Sequence, residues 1–184
     1  MRLFTAIELT DDVRNAIVAT QRRVVSGGKA GGFLRLARPE HMHLTLVFIG
    51  ELSEDRGAPI LQAMSADLPL RPFRVAFGGL GAFPPRGAPR ILYVDVLAGR
   101  DEMVVLHRVV AGRLAAAGVP PEPRPYHPHL TLGRWRESRP SDRPKGTGAV
   151  IAELGVEAVT LFQSRLSSSG PTYTRLAAAH LVCP

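Results

Sequence analysis

The chain has a single cysteine, Cys183, close to its carboxyl end. That rules out an internal disulfide and a cysteine-built zinc site, and it fits a reducing compartment. Lysine is almost as scarce. Lys29 and Lys145 are the only two among 23 Lys and Arg residues, so arginine carries nearly all of the positive side of a formal net charge of +7. Such a balance has two sources: an anionic partner such as RNA or a phosphorylated small molecule, or the codon bias of a GC-rich genome. No apolar run approaches the roughly 18 residues that a membrane helix needs. The opening stretch, MRLFTAIEL, enters a strand pattern at once and lacks the n-region, h-region and cleavage site of a secretory signal. A cytoplasmic protein that contacts no membrane is therefore expected. SGGKAGG, Ser26 to Gly32, lacks the G-x-x-x-x-G-K-[ST] spacing of a P-loop and reads as a turn.

What is present is a repeat. With 184 residues, 45% of them hydrophobic, the chain is long enough for a real core. MRLFTAIEL reads as a strand. Thr10 follows as a candidate N-cap, and Asp11 and Asp12 suit the positive end of a helix dipole. Val13, Ala16, Ile17 and Val24 then recur at helical spacing. A short strand near 33–37 leads to HMHLTLVFIG, a further strand. A helix near 58–66 carries Pro59 in its first turn. PFRVAFGGLGAF reads as a strand that breaks up at its glycines. ILYVDVL is a strand, 101–117 a helix, and YHPHLTLGRW the next strand. RESRPSDRPKGTG is polar and rich in breakers, so it reads as an exposed loop. AVIAELGVEAVTLFQSRL and TYTRLAAAHLV close the chain as strands. Strand, helix and HLTL thus occur in that order twice, and His43 and His129 lie 86 positions apart. The pattern predicts an α+β fold: a bilobal pseudo-two-fold repeat, two antiparallel sheets flanking a central cleft, with helices on the outside. The whole of 1–184 is expected to form that one bilobal unit.

Strand geometry gives each HLTL two faces. His43 and Thr45 point one way, Leu44 and Leu46 the other. His129 and Thr131 oppose Leu130 and Leu132 in the same way. The leucines suit a core. Two polar faces of identical chemistry are best explained by a shared cleft. Two imidazoles can divide phosphoryl transfer between them, one neutral as base and one protonated as acid. Threonine hydroxyls can donate to phosphate oxygens, and Arg134, at the end of the second motif's strand, can clamp the same group. No metal or other cofactor is needed. Taken singly, each histidine is more simply a structural residue; the matched pair with matched threonines favours catalysis. His41-x-His43 and His127-x-His129 can also be read as four metal ligands, but no carboxylate is expected to complete the usual outer shell of such a site.

The paired H-x-T-x motifs resemble those of the 2H phosphoesterase superfamily. MRLFTAIEL, RPEHMHLTLVFIGEL, PHLTLGR and LFQSRLSSSGPTYTRL are similar to the bacterial and archaeal RNA 2′,3′-cyclic phosphodiesterases, also known as the 2′-5′ RNA ligase family. The resemblance spans essentially the whole chain. It implies metal-independent opening of a 2′,3′-cyclic phosphate at an RNA end, leaving a 2′-phosphate. It implies His43 as proton donor to the leaving oxygen, His129 as the base for water, and Thr45, Thr131 and Arg134 as phosphate ligands. Some members also join tRNA halves through a 2′-5′ linkage. A monomer is expected. His41 and His127, two positions before each histidine, depart from the common pattern.

Other readings stay open at this level. Small cyclic or 2′-5′-linked nucleotides are an alternative substrate class, and a non-catalytic RNA- or nucleotide-binding module is a third reading. The basic loop from Arg136 to Lys145 suits either RNA backbone or solvent. Phe48, Phe83, Trp135 and Tyr173 are candidates to stack on a base. Ser164 and Tyr173 are candidates to line the cleft on resemblance alone. His107 reads as a solvated helix residue and His180 as structural.

Overall fold

The computed structural model describes residues 1–26, 33–144, 148–167 and 170–183. Gly27 to Gly32 of the glycine-rich turn and Lys145 of the basic loop lie outside them. Among the described residues, ten strands and three α-helices run in the order β1 (Arg2–Glu8), α1 (Asp11–Ser26), β2 (Leu34–Leu36), β3 (His43–Glu51), α2 (Gly57–Met64), β4 (Leu68–Pro69), β5 (Phe73–Phe83), β6 (Ile91–Ala98), α3 (Arg100–Ala116), β7 (His129–Trp135), β8 (Val150–Val156), β9 (Ala158–Ser167) and β10 (Gly170–Val182). They build two five-stranded sheets, ordered β3-β1-β9-β10-β4 and β2-β7-β6-β5-β8. Every strand pair is antiparallel except β10 with β4, a parallel edge. The two HLTL strands fall in different sheets, and β1-α1-β3 is matched by β6-α3-β7. That is the pseudo-two-fold α+β architecture the repeat implies.

The sheets are not halves of the sequence. The first is completed by β9 and β10 from the carboxyl end, while β5 and β8 join the second. One apolar core serves both. Leu44 and Leu130 are fully buried, as are Ile17 of α1 and Leu106 of α3, in one continuous cluster. The helices cross over: α1 packs on β8 of the second sheet, and α3 on β3 of the first. Gly99 opens α3 at φ 77°, where an added Cβ would meet the Arg74 carbonyl at 2.3 Å.

The glycines of β5 do not end that strand, contrary to the sequence reading. It runs unbroken from Phe73 to Phe83 with irregular register. The reason is packing. The Tyr93 ring lies where a Cβ on Gly81 would be, 2.2 Å from its nearest atom, so the glycine makes room for an aromatic face.

Both HLTL strands carry a β-bulge at the motif's last leucine. Thr5 pairs with Val47 and Ala6 with Thr45, skipping Leu46; Leu92 pairs with Gly133 and Tyr93 with Thr131, skipping Leu132. A bulge loosens backbone groups that then need other partners. At the first, the Val47 N–H donates to the buried Thr5 hydroxyl at 3.2 Å. At the second, the Leu132 carbonyl accepts from Gln21 Nε2 and from the Ala37 N–H, both at 2.8 Å. Gln21 is 4% exposed and also donates to the Ala37 carbonyl. Gln21→Leu removes both of these bonds at a dry site and is expected to cost about 1–3 kcal/mol in urea unfolding; a change under about 0.5 kcal/mol would show that the bulge does not depend on it.

Candidate active site

The strands β3 and β7 contact each other across the molecule. Each begins at its histidine, because the preceding residues are not strand: Pro39 to His41 form a 3₁₀ turn, and Pro128 precedes His129. Glu8 stands directly opposite His43, and Asp95 directly opposite His129. The outer faces of HLTL behave as the spacing implies. Leu44, Leu46, Leu130 and Leu132 are buried, whereas His43, Thr45, His129 and Thr131 keep partial access.

Each imidazole is tied by one ring nitrogen to the carbonyl two residues earlier. His129 Nδ1 lies 2.7 Å from the His127 carbonyl, and His43 makes a matching bond to the His41 backbone. A carbonyl only accepts, so the bonded nitrogen of His129 carries hydrogen and Nε2 is left as the site that takes up a proton. Burial works against charge in both. It holds the His43 pKa down at about 4, and the charge of His41 adds to this, although the backbone bond opposes it. Burial likewise pushes His129 below its ordinary value, partly offset by its backbone bond.

Around His43 lies an aromatic wall. The Phe4 ring centroid is 4.8 Å away and the Tyr173 ring stands edge-on at 5.5 Å. Phe4 stacks on Phe162, and Phe48 lies beside it at 6.3 Å. A pocket of about 160 Å³ opens next to His43, lined by Glu8, Glu40, Arg14, Tyr173 and Arg175 among others. Glu8 is engaged within it: Oε1 takes Arg175 Nη2 at 2.6 Å and Oε2 takes the Thr160 hydroxyl at 3.1 Å. Around His129 stand Phe83, edge-on at 4.9 Å, and Tyr93 at 5.3 Å. Asp95 binds Arg100 at 2.5 Å. His127 Nε2 lies 3.3 Å from Asp95 Oδ1, near enough for attraction when charged but not aligned as a hydrogen bond.

Arg134 joins the two walls. The bulge at Leu132 turns it onto the face of Thr131, and its charge is felt at both His129 and Tyr173. Tyr173 in turn packs on His43. Arg134 thus links His129 to Tyr173 and through it to His43, while Thr45 and Thr131 share the faces of their own histidines. Phe48 stands five residues after His43 as Arg134 does after His129, and the bulge at Leu46 likewise turns it to the cleft, 63% exposed.

Other expectations are corrected. Trp135 is core, 7% exposed in the main apolar cluster, and is no stacking platform. His107 is not a solvated helix residue: it stacks flat on Tyr126, centroids 4.3 Å apart, and burial lowers its pKa. In the basic loop, Arg143 is spent on the carbonyls of Ala82, Pro84 and Gly87. Ser164 pairs with Tyr173 across β9 and β10. Among the described residues no three His, Cys, Asp or Glu side chains cluster as metal ligands, and no helix is long and apolar enough to cross a membrane.

Tyr126 went unread in the sequence. Its hydroxyl donates to the Thr45 carbonyl at 3.0 Å, tying the segment before β7 to the middle of β3, and burial raises its own pKa. Nothing in its local pattern marks it, since the partner lies 81 residues away.

Two sheets that each offer one histidine and one threonine to a common cleft define a 2H phosphoesterase. The chain belongs to the 2′-5′ RNA ligase superfamily, whose family model matches residues 10–163. It is 32% identical over 181 residues to the RNA 2′,3′-cyclic phosphodiesterase of Archaeoglobus fulgidus, with 96% of this chain and 98% of that protein covered. The protein of the same name from Thermus thermophilus is 33% identical, with 96% and 88% covered. The crystal structure of TT0787 of Thermus thermophilus superposes with a TM-score of 0.80 at 30% identity, covering 98% of this chain and 97% of that one. Escherichia coli LigT, solved in complex with 3′-AMP, shares the fold with a TM-score of 0.75 at 23% identity and 98% coverage of both chains.

The buried histidines link stability to pH. Between the ordinary pKa of 6.5 and about 4, the unfolded chain binds a proton that folded His43 does not. Stability contributed by neutral His43 is therefore complete above pH 6.5 and declines as pH falls, by roughly 3 kcal/mol at pH 4. Urea unfolding from pH 7.5 to 4.5 should show this decline, and His43→Asn should flatten it; parallel curves for the two proteins would refute the assignment.

Proposed function

We propose that the chain hydrolyses RNA 2′,3′-cyclic phosphate ends to 2′-phosphates by metal-independent acid–base catalysis. The observation that supports this reading is the pair of H-x-T strands in contact across the two sheets, each imidazole tied to a backbone carbonyl two residues earlier. Neutral His129 takes a proton from water as the water oxygen attacks phosphorus. The P–O3′ bond breaks, and protonated His43 delivers its proton to the departing 3′ oxygen. The phosphate stays on O2′. Thr45 and Thr131 donate to non-bridging oxygens, and Arg134 offsets their charge.

Burial suits one role better than the other. A histidine kept neutral is ready to act as base. His43 must be charged to act as acid, and a bound phosphate anion within the cleft supplies the attraction that raises its pKa. The enzyme acts as a monomer in this scheme, because each group comes from one chain. The names of the Archaeoglobus and Thermus relatives support RNA as substrate. Joining RNA halves through a 2′-5′ linkage is the same opening with a 5′-hydroxyl in place of water: O5′ attacks phosphorus, its proton passes to His129, the P–O3′ bond breaks and His43 protonates O3′.

An oligoribonucleotide ending in a 2′,3′-cyclic phosphate, incubated in excess EDTA, should yield the 2′-phosphate. His43→Ala and His129→Ala should each lower kcat by about 10²–10⁴-fold. Recovery of a 3′-phosphate, or loss of activity to EDTA, would overturn the mechanism. A panel of cyclic mononucleotides and 2′-5′ dinucleotides distinguishes RNA from small nucleotides as the preferred substrate.

The pH profile should be bell-shaped, and its two forms should differ. kcat/KM reports the free enzyme, where His43 titrates near 4, whereas kcat reports the complex. The basic limb of kcat should therefore lie at higher pH than that of kcat/KM. Coincident limbs would show that bound phosphate does not raise His43.

A further inference from the structure

The rim of the cleft carries a short basic ribbon that the chemistry above leaves unused. β2 pairs with the far end of β7, so that Arg35 lies opposite Arg134 and Leu34 opposite Trp135. One step further, the Arg136 N–H donates to the Phe33 carbonyl at 3.1 Å. Alternation sorts these side chains. Leu34 and Trp135 pack on the core. Arg35, Arg134, Arg136 and Phe33 share the opposite face, and Arg134 identifies it as the cleft face.

Two features of this ribbon are costly without a partner. Arginines directly opposite each other on a ladder repel, and a guanidinium cannot shed its proton to relieve the strain. Among the described residues no carboxylate is ion-paired with Arg35, Arg134 or Arg136. Phe33 is 59% exposed, at the edge of a groove that it forms with Leu34, Arg35 and Arg136. An anion between the guanidiniums removes the repulsion, and a planar base covers the ring. Single-stranded nucleic acid offers both at once. Thr131, Arg134 and Arg136 also recede from His129 along one face, at about 7 Å per two residues.

We propose that this ribbon binds the RNA strand 5′ to the cyclic phosphate, with backbone phosphates on Arg35 and Arg136 and a base on Phe33. The assignment rests on the proposed function, because it takes the reacting phosphate to lie between His43 and His129. It makes polymeric RNA the preferred substrate over a mononucleotide.

The test compares a dinucleotide and a 10-mer with the same cyclic-phosphate end, using wild type, the double variant Arg35→Ala/Arg136→Ala, and Phe33→Ala. Binding of a 10-mer ending in 2′-phosphate is measured by anisotropy between 50 and 200 mM salt. Wild type should favour the 10-mer at low salt. The double variant should lose about tenfold or more in kcat/KM on the 10-mer, keep its dinucleotide rate within about twofold, and show a salt slope shallower by about 1.4, at roughly 0.7 per phosphate contact. Phe33→Ala should weaken 10-mer binding about fivefold or more. The double variant should melt no lower than wild type, because a repulsion is removed, which separates weak binding from unfolding. Equal losses on both substrates, or an unchanged 10-mer, would overturn the ribbon assignment. A wild type that hydrolyses neither substrate but binds the 10-mer through Arg35 and Arg136 would sink the proposed function and leave the ribbon standing.

Discussion

Leu46 and Leu132 are each the extra residue of a β-bulge, and the geometry of the cleft follows from that. A regular strand would send residue 48 away from His43, and residue 134 away from His129. The bulge doubles one position on the core side, so Val47 and Gly133 stay buried and the next residue returns to the cleft. An aromatic arrives on one wall and a guanidinium on the other. The backbone groups loosened by this manoeuvre are recovered by Thr5 in the neighbouring strand and by Gln21 in a helix that packs on the second sheet. A polar residue inside a helix's apolar stripe thus serves a site that it does not touch.

The same economy of partners governs the histidines. A buried imidazole with no fixed bond can hold its proton on either nitrogen. Here the carbonyls of His41 and His127 remove that freedom, and they stand just before the strands because a 3₁₀ turn and a proline keep those residues out of the ladders. Desolvation then favours the neutral form of both rings. The two effects are distinct: hydrogen bonding sets which nitrogen carries hydrogen, and burial disfavours the charged form. The carboxylates opposite each ring, Glu8 and Asp95, are both occupied by arginines, Arg175 and Arg100, so neither is a bare charge beside its histidine.

Much of this was legible in the letters. The strand–helix–HLTL repeat fixes two sheets, and period two separates leucines from histidines and threonines. Arg134 was singled out from its place in the motif, although period two alone turns it away from His129; the bulge that brings it back leaves no mark in a single sequence. Gly81 looked like a breaker because its reason, the Tyr93 ring, sits on another strand. Trp135 looked like a platform because burial depends on β2, three residues long. Tyr126, Gln21 and Thr5 were invisible for one reason: each satisfies a backbone group far away in sequence, and such partners are defined only by the fold.

The order of the sheets has a consequence for how the chain is made. The wall around His43 is assembled from distant parts of the sequence: Phe4 and Glu8 lie in β1, whereas Thr160 and Phe162 lie in β9, and Tyr173 and Arg175 in β10. Until β9 inserts beside β1, that strand presents an open, apolar edge to solvent and the sheet holding the first HLTL motif is only β1 and β3. Closure of the sheet is therefore a long-range event, slow in the sense that contact order measures. A chain that ends before β9 holds both histidines and keeps Phe4 against the first, but it lacks Phe162, Tyr173 and Arg175, so the full motif set is present before the pocket that surrounds it.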